Sequence, residues 1–379
     1  MNWRDPRHSL AGGAEIYAWE LARALVDAGA KVEFVTARER GAAASEVVDG
    51  ITVRRRGSTI TYYAWALLWL LVRRRRLDLV VDADCGIPVF SPLVLSPGRT
   101  AVVLLVHHVH LDQFHTYFPS ALALLGRFLE GTAMPRVYRG RVTVAVSSST
   151  QHEMVERLGW REPIHVIHNG NAMPVRVRDS QRSTGDRVAV LGRLAPHKRV
   201  DEVVRAVGAL REARPSLHLD VIGKGPDHER LERLVGSLGL QDHVTLHGYL
   251  PDEAKRCVLD GTRLHVCASD VEGWGQVVIE AAALGIPTVA RDVPGMRESI
   301  HAGVTGWLLP EPSLAQDPTW VRLAEGIDHA LAQLEDPERR REMAVACEQW
   351  AAGFTWTAMH ASVVSQAESA LALRTDRVS

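Results

Sequence analysis

Two stretches of this chain carry residue types that suit chemistry on an anion. The first is Ser269-Asp-Val-Glu272-Gly-Trp-Gly275-Gln-Val-Val-Ile-Glu280, in which two carboxylates enclose a glycine-bracketed turn and the start of a helix. Gly273 and Gly275 let the backbone bring N–H groups close to a negative ligand, and the helix dipole at that point favours one. Glu280 follows Gln276 by one helical turn and shares its side, whereas Ile279, Ala282 and Ala283 point into the domain. A carboxylate at 280 can accept both hydroxyls of a ribose, and Glu272 in the preceding loop can reach a sugar ring. The rival reading is an ordinary amphipathic helix with a glycine-rich start and a solvated glutamate. It is the weaker one, because the turn, the small residues and the second carboxylate coincide at the C-terminal end of a strand, where open α/β sheets bind ligands.

The second stretch, Gly192-Arg193-Leu-Ala-Pro-His-Lys198-Arg199, follows the strand-like run RVAVL and precedes a helix. Arginine offers a planar fork matched to phosphate oxygens, and lysine adds a mobile point charge. Cations aimed at a departing diphosphate bind the transition state more tightly than the ground state, because negative charge builds up as the bond breaks. Alone, such a pair is more often surface charge; beside the first stretch it reads as a pyrophosphate clamp. A third group, His107, His108 and His110, follows the apolar run TAVVLLV. With Asp112 and His115 it could supply metal ligands, but no spaced carboxylate motif supports zinc. Histidines that merely close a cleft are the other alternative.

The elements that must position these residues read as alternating strands and helices. Residues 14–28 carry a one-sided apolar stripe (Ala18, Leu21, Ala22, Leu25) with Gly29 as C-cap. KVEFVTA, GITVRRR, LDLVVDAD, TAVVLLVH, RVTVAVSS and PIHVIHNG then recur as short β-branched runs. Residues 172–187 break the pattern with Pro174, Ser183 and Gly185, which suits a linker over 174–186. RVAVLGRL, LHLDVIGKGP, VTLHGYL, RLHVCAS and PTVARD restart it, with helices from Val200, Asp227, Asp252, Gly275 and Pro294. The alternation predicts parallel sheets covered on both faces, in an N-terminal domain over 1–173 and a C-terminal domain over 187–353. The helical stretch from Phe354 to the end crosses back to the first. One irregularity stands at the start: Gly12-Gly13 opens a helix, yet MNWRDPRHS contains no strand before it. Either initiation is assigned late, or the sheet tolerates a shortened edge.

Composition narrows the classes further. A length of 379 residues favours two domains, and a net charge of −1 argues against tracking of a nucleic-acid backbone. Cys85, Cys257, Cys267 and Cys347 lack C-x-x-C spacing, so neither a disulfide framework nor a zinc ribbon is expected, which fits a reducing, cytoplasmic setting. Residues 1–10 lack the apolar core of a signal peptide. The apolar run Tyr62–Val72, closed by Arg73–Arg76, is far short of the ~20 residues of a membrane span. It reads as a buried helix whose cations suit its C-terminal dipole; peripheral contact with an anionic inner membrane face is the alternative.

The motifs GRLAPHK, VIGKGP (221–226), HGYLP (247–251), EGWGQVVIE and VPGMRESIHAGVTGWLL (293–309) together resemble the retaining glycosyltransferases of family 4, which have the GT-B fold. In the first half, NWRDPRHSLAGGAE, GIPVFSPL, HHVHLDQF, AVSSST and VIHNGN resemble the same family in the same order. The resemblance implies two facing Rossmann-like domains with the active site in the cleft between them. It implies transfer of a sugar, with retention, from a nucleoside-diphosphate sugar (UDP- or GDP-linked) to a glycan, lipid-linked or small-molecule acceptor, without cofactor or metal. It assigns Glu272 to the donor sugar, Glu280 to the ribose, Arg193 and Lys198 to the diphosphate with Gly12 and Gly13 beside it, and Gly248 and Tyr249 to the vicinity of the base. Gly192, Gly223, Gly273, Trp274 and Gly275 complete the donor-binding set. Either His107 or His108 lies by the reacting centre, with His107 favoured by alignment. Asp82 and Asp84 form the Asp-x-Asp pattern that holds a divalent ion in the other glycosyltransferase fold. Here Arg193 and Lys198 already offer that neutralisation, and the two aspartates read as a strand end. A sugar-nucleotide 2-epimerase of the same fold and a non-catalytic sugar-nucleotide-binding partner protein are the remaining alternatives.

Overall fold

The computed structural model describes residues 1–9, 11–172, 185–310 and 318–375. They divide into two units, Met1–Gly170 with Trp356–Ser379, and Asn171–Thr355. The changeovers therefore fall at 170/171 and 355/356, a few residues from the boundaries expected at 173 and 353. Of the linker stretch 174–186, only Gly185 and Asp186 lie within the described residues.

The first unit contains two sheets. β1 (Glu33–Thr36), β2 (Ser45–Val48) and β3 (Ile51–Arg55) pair in the order β1-β3-β2, with β1 parallel and β2 antiparallel to the central strand. β4 (Leu79–Asp84), β5 (Ala101–Val106), β6 (Val142–Ala145) and β7 (Ile164–Val166) form a parallel sheet in that order. Every residue of β5 is buried, as an unbroken apolar run in a parallel sheet requires. The missing first strand is present as a stub. Asn2 N donates to Val35 O and Ala37 N to Trp3 O on one side, while Ala83 N donates to Met1 O on the other. Met1–Trp3 thus lies between β1 and β4, in the interior rather than at a shortened edge.

Helix Gly13–Asp27 leaves this stub and ends where Gly29 takes a left-handed φ of 88°. Its Leu21 and Leu25 line a small cavity together with Val363 and Ala367 of the last helix, Trp356–Thr375, and Glu20 pairs with His360 at 3.0 Å. The chain's final helix therefore covers the first unit. Helix Thr61–Arg73 buries Tyr62, Ala66 and Leu70, while Leu68, Leu71 and Val72 are exposed and Arg73 pairs with Glu33. Among the described residues, no helix is long and apolar enough to cross a membrane.

The second unit is one parallel sheet. Its strands are β8 (Arg187–Leu191), β9 (His218–Ile222), β10 (Val244–Gly248), β11 (Leu264–Cys267), β12 (Thr288–Arg291) and β13 (Gly306–Leu309). They lie in the order β10-β9-β8-β11-β12-β13. Counting from β8, that is the doubly wound order in which the direction of strand addition reverses between the first and fourth strands. Val188, Val190, Leu219, Val221 and Val266 from the strands pack with Val203 and Val207 of helix Val200–Leu210 and with Ile327 and Leu331 of helix Thr319–Gln333. β2 and β13 carry no clear sequence signal: β2 is short and largely solvent-facing, and β13 packs Trp307 and Leu309 only partly into the core.

Candidate functional site

β8 and β11 are adjacent, and the switch point between them fixes where the two chemically interesting stretches meet. The loop after β8 turns at Gly192, whose φ is 124°, and makes a short 3-10 turn over Pro196–Lys198. Arg199, left-handed at φ 51°, then feeds helix Val200–Leu210. The loop after β11 carries Ser269 to Gly275. Asp270 N donates to His197 O at 2.8 Å, tying the two loops together. Lys198 Nζ and Glu272 Oε1 form an ion pair, and Ser269 Oγ donates to the same oxygen at 3.0 Å. Burial alone would raise the Glu272 carboxyl, but the charge and hydrogen bond of Lys198, with Ser269 behind, hold it below the usual carboxylate range. His197 sits among these groups; burial first, then the charges of Lys198 and Arg193, take its ring down to about 4. Arg193 is half-buried on the same loop.

Glycines set the shape of this rim. At Gly223, φ 153°, a Cβ would lie 1.7 Å from Gly192 O, and at Gly225 a Cβ would lie 2.1 Å from Leu194 O. Only bare backbone lets the loops after β8 and β9 approach this closely. Gly223 N in turn donates to Gly248 O at 2.8 Å, which brings in the end of β10 with Tyr249, 69% exposed and under the Lys224 ammonium at 5.4 Å.

Helix Gln276–Ala283 starts from Gly275 in the left-handed region, φ 78°. Val278, Ile279, Ala282 and Ala283 are buried, and Gln276 and Glu280 share the half-exposed face. Glu280 Oε2 is met by Lys255 Nζ at 3.0 Å from helix Asp252–Asp260. Sequence reasoning missed Lys255, because nothing in its neighbourhood announces a partner on another helix. Gly295, within the motif VPGMRES, has no role assignable from its local sequence. Gly295 N donates to Glu272 O at 3.1 Å, and a Cβ there would lie 2.3 Å from that oxygen, so this glycine seats the Glu272 loop. Trp274, expected among the donor contacts, is 4% exposed, and its ring meets Phe354 edge-on at 4.8 Å. Its indole is a core anchor beneath the glycine turn, since a ring of that size is most stable packed out of water.

The remaining predicted residues lie on the first unit. Gly12 caps helix Gly13–Asp27 and donates its N–H to Glu15 Oε2 at 2.7 Å, while Arg4 Nε bonds Glu15 Oε1 at 2.9 Å. A Cβ at Gly13 would meet nothing within 4 Å, so packing within the protein does not demand a glycine there. His107 follows β5 and is 6% exposed, with its ring edge-on to Tyr17 at 5.4 Å. Burial, with His108 and His110 nearby, depresses it to about 3, so it is neutral near pH 7. Its Nε2 is buried without a hydrogen-bond partner among the described residues. His108 is half-buried and stacks on His110 at 3.8 Å. Asp82 is a strand-end anchor. Its carboxylate accepts backbone N–H groups from Val89 at 2.9 Å and Ser91 at 3.0 Å, and the hydroxyl of Tyr138.

A doubly wound domain of this kind binds its ligand outside the carboxyl ends of its strands, at the switch point where these cations, carboxylates and glycine turns gather. The profile described as Glycosyl transferases group 1 matches residues 177–348, and that described as Glycosyltransferase Family 4 matches residues 11–171. The chain is 28% identical over 306 residues to alpha-D-kanosaminyltransferase of Streptomyces kanamyceticus, covering 74% of this chain and 76% of that protein. In fold it is similar to sucrose-phosphate synthase from Thermosynechococcus elongatus, with a TM-score of 0.77, 20% identity and 97% of each chain covered. It is also similar to Anabaena HepE, solved with UDP and glucose, with a TM-score of 0.71, 18% identity and coverage of 97% of this chain and 98% of that one. The chain belongs to the family 4 glycosyltransferases, enzymes of the GT-B fold.

Proposed function

We propose that the enzyme moves a sugar, with retention of anomeric configuration, from a UDP- or GDP-sugar to an acceptor hydroxyl. The observation that carries this reading is the convergence of Arg193, the Lys198–Glu272 pair and the glycine turns on the ends of β8, β9 and β11. In it, the diphosphate takes Arg193 and Lys198 as its cations and the amides of Gly273–Gly275 at the start of the helix. A pyrophosphate drawing Lys198 to itself frees the Glu272 carboxylate for hydroxyls of the donor sugar, so each charge has a partner before and after binding. Glu280 receives the ribose, and the backbone at Gly248 and the Tyr249 ring serve the base. These fixed cations supply the neutralisation that a metal provides elsewhere, so the reaction needs none at the diphosphate.

On the first unit, His107 is the residue for the reacting centre in this reading, since a neutral ring with an unpartnered nitrogen can accept or share a hydrogen bond with a sugar hydroxyl. Gly12 and Gly13 lend backbone to the phosphate. The departing phosphate takes the acceptor proton on the same face of the sugar ring. The relative that acts as a kanosaminyltransferase and the neighbour solved with UDP support a nucleotide-sugar donor. Thermal-shift screening against UDP-, GDP- and dTDP-sugars finds the donor, and nucleotide release with an acceptor panel, with NMR of the product anomer, tests the reaction. Product formed from the nucleotide sugar with no acceptor present, or no nucleotide release with any acceptor, would overturn the reading.

A further inference from the structure

The first unit holds a buried cluster that the transfer reaction does not use. Asp84 ends β4, His110 lies in the loop after β5, and Glu130 belongs to the helical turn Leu129–Ala133. One ligating atom from each lies within 4.8 Å of the other two. Asp84 and Glu130 are fully buried, and His110 is 9% exposed. Glu130 Oε1 accepts the backbone N–H of His110 at 2.6 Å and faces its Nδ1 at 3.2 Å, and Asp84 Oδ1 accepts the Gly86 N–H at 3.2 Å. The second oxygens, Asp84 Oδ2 and Glu130 Oε2, have no hydrogen-bond partner among the described residues.

Asp82, on the same face of β4, shows what a satisfied carboxylate looks like here, since it takes three donors. Asp84 and Glu130 lack that compensation. Arg157, whose charge reaches Glu130, makes its hydrogen bonds to Asp112 at 2.6 Å and Glu153 at 3.3 Å. Two carboxylates buried this close repel unless a proton or a cation lies between them. Burial disfavours charge on all three groups, raising the two carboxyls and lowering the His110 ring. A neutral imidazole is the form that ligates metal.

We propose that Asp84, His110 and Glu130 form a binding site for a divalent first-row cation of the zinc or manganese class. One imidazole and two carboxylates are a nitrogen–oxygen donor set that such ions accept, and three protein ligands leave a coordination position for water. The cation ties the end of β4 to the loop after β5 and to the turn Leu129–Ala133. Because His108 stacks on His110, it also steadies the histidine segment. The site is independent of the pyrophosphate clamp and takes no part in bond breaking.

The test uses the untagged full chain, stripped by a chelator and titrated with Zn²⁺ or Mn²⁺ near neutral pH by calorimetry and thermal unfolding. The expected result is saturable binding of one ion per chain with a raised Tm. Since loss of even an outer-shell partner weakens metal sites about 10–100-fold, Asp84→Asn and Glu130→Gln should each weaken binding by about tenfold or more. Asp112→Asn, an exposed neighbour outside the cluster, leaves binding unchanged. Should those variants fold poorly, a Co²⁺-loaded wild type must still show the visible absorption of a histidine- and carboxylate-ligated ion. Absence of one-site binding to the wild type, or equal binding by Asp84→Asn, overturns the proposal. A metal-free Asp84→Asn chain that is more stable than a wild type indifferent to cations would also overturn it, and would identify the pair as sharing a proton.

Discussion

Each charged group at the second unit's rim already has a partner. Glu280 is paired with Lys255 at 3.0 Å at a partly exposed position, so that contact contributes little to stability, about 0–1 kcal/mol. Glu280→Ala should therefore leave the fold intact and weaken nucleotide binding by about 1–3 kcal/mol, the scale of hydrogen bonds to a charged group, as isothermal titration with UDP and GDP would read. Arg193→Ala should act on turnover, lowering kcat by about 10²–10³-fold with a smaller change in KM, since its role is to meet charge that grows in the transition state. Equal losses in binding and turnover would deny it that role. Titration gives a further expectation. His265 in β11 is fully buried with its Nδ1 3.0 Å from Thr288 Oγ1, and burial takes its ring from 6.5 down to about 3. Below pH 6.5 the unfolded chain binds a proton here that the native chain refuses, so stability is lost as pH falls from 6.5 toward 3. The slope from this one ring is at most about 1.4 kcal/mol per pH unit. Denaturant titrations of the second unit between pH 6.5 and 4.5 should show that slope in the wild type and a flatter one in His265→Gln.

At the scale of elements, the glycines separate into those the fold requires and those it does not. Gly295 and Gly223 hold backbone against backbone, with no room for a methyl group beside Glu272 O or Gly192 O. Gly13 opens a helix with empty space where a side chain would go. Gly13→Ala should thus keep the thermal midpoint, alanine being a better helix former by about 1 kcal/mol, and yet lower turnover if a phosphate approaches that amide. Gly295→Ala should lower both the midpoint and nucleotide affinity, because the Glu272 loop must move. If Gly13→Ala were fully active, the phosphate role of the Gly12–Gly13 turn would fall. Most strands and the helix starts at Val200, Asp252 and Pro294 were legible in the sequence, because apolar runs and turn residues are local signals. β2, β13 and the Met1–Trp3 stub were not, because each depends on hydrogen bonds to distant strands more than on its own pattern.

For the whole molecule, the chain changes units at 170/171 and again at 355/356, so the end of the sequence completes the unit with which it began. Leu21 and Leu25 line one cavity with Val363 and Ala367, and a Cβ at Gly170 would lie 2.4 Å from the Trp356 ring. Removing residues 356–379 uncovers that apolar surface. Hydrogen exchange on the truncated chain should show lost protection in helix Gly13–Asp27 and β4–β6, with β8–β12 retaining theirs. Uniform loss across both units would show that they do not behave as separate cores.

The sequence by itself determined the family and singled out the candidate residues. Glycines at strand ends, a cation pair after one strand and spaced carboxylates after another are patterns of neighbouring residues, and they survive in a linear reading. The tertiary structure decided how those residues combine. The reversal of strand order beside β8 and β11, the pairing of Lys198 with Glu272 across 74 positions, Lys255 facing Glu280, and the meeting of Asp84, His110 and Glu130 leave no local trace. They arise when separate segments bury their apolar faces in one core, and packing then dictates which polar groups come within reach of each other.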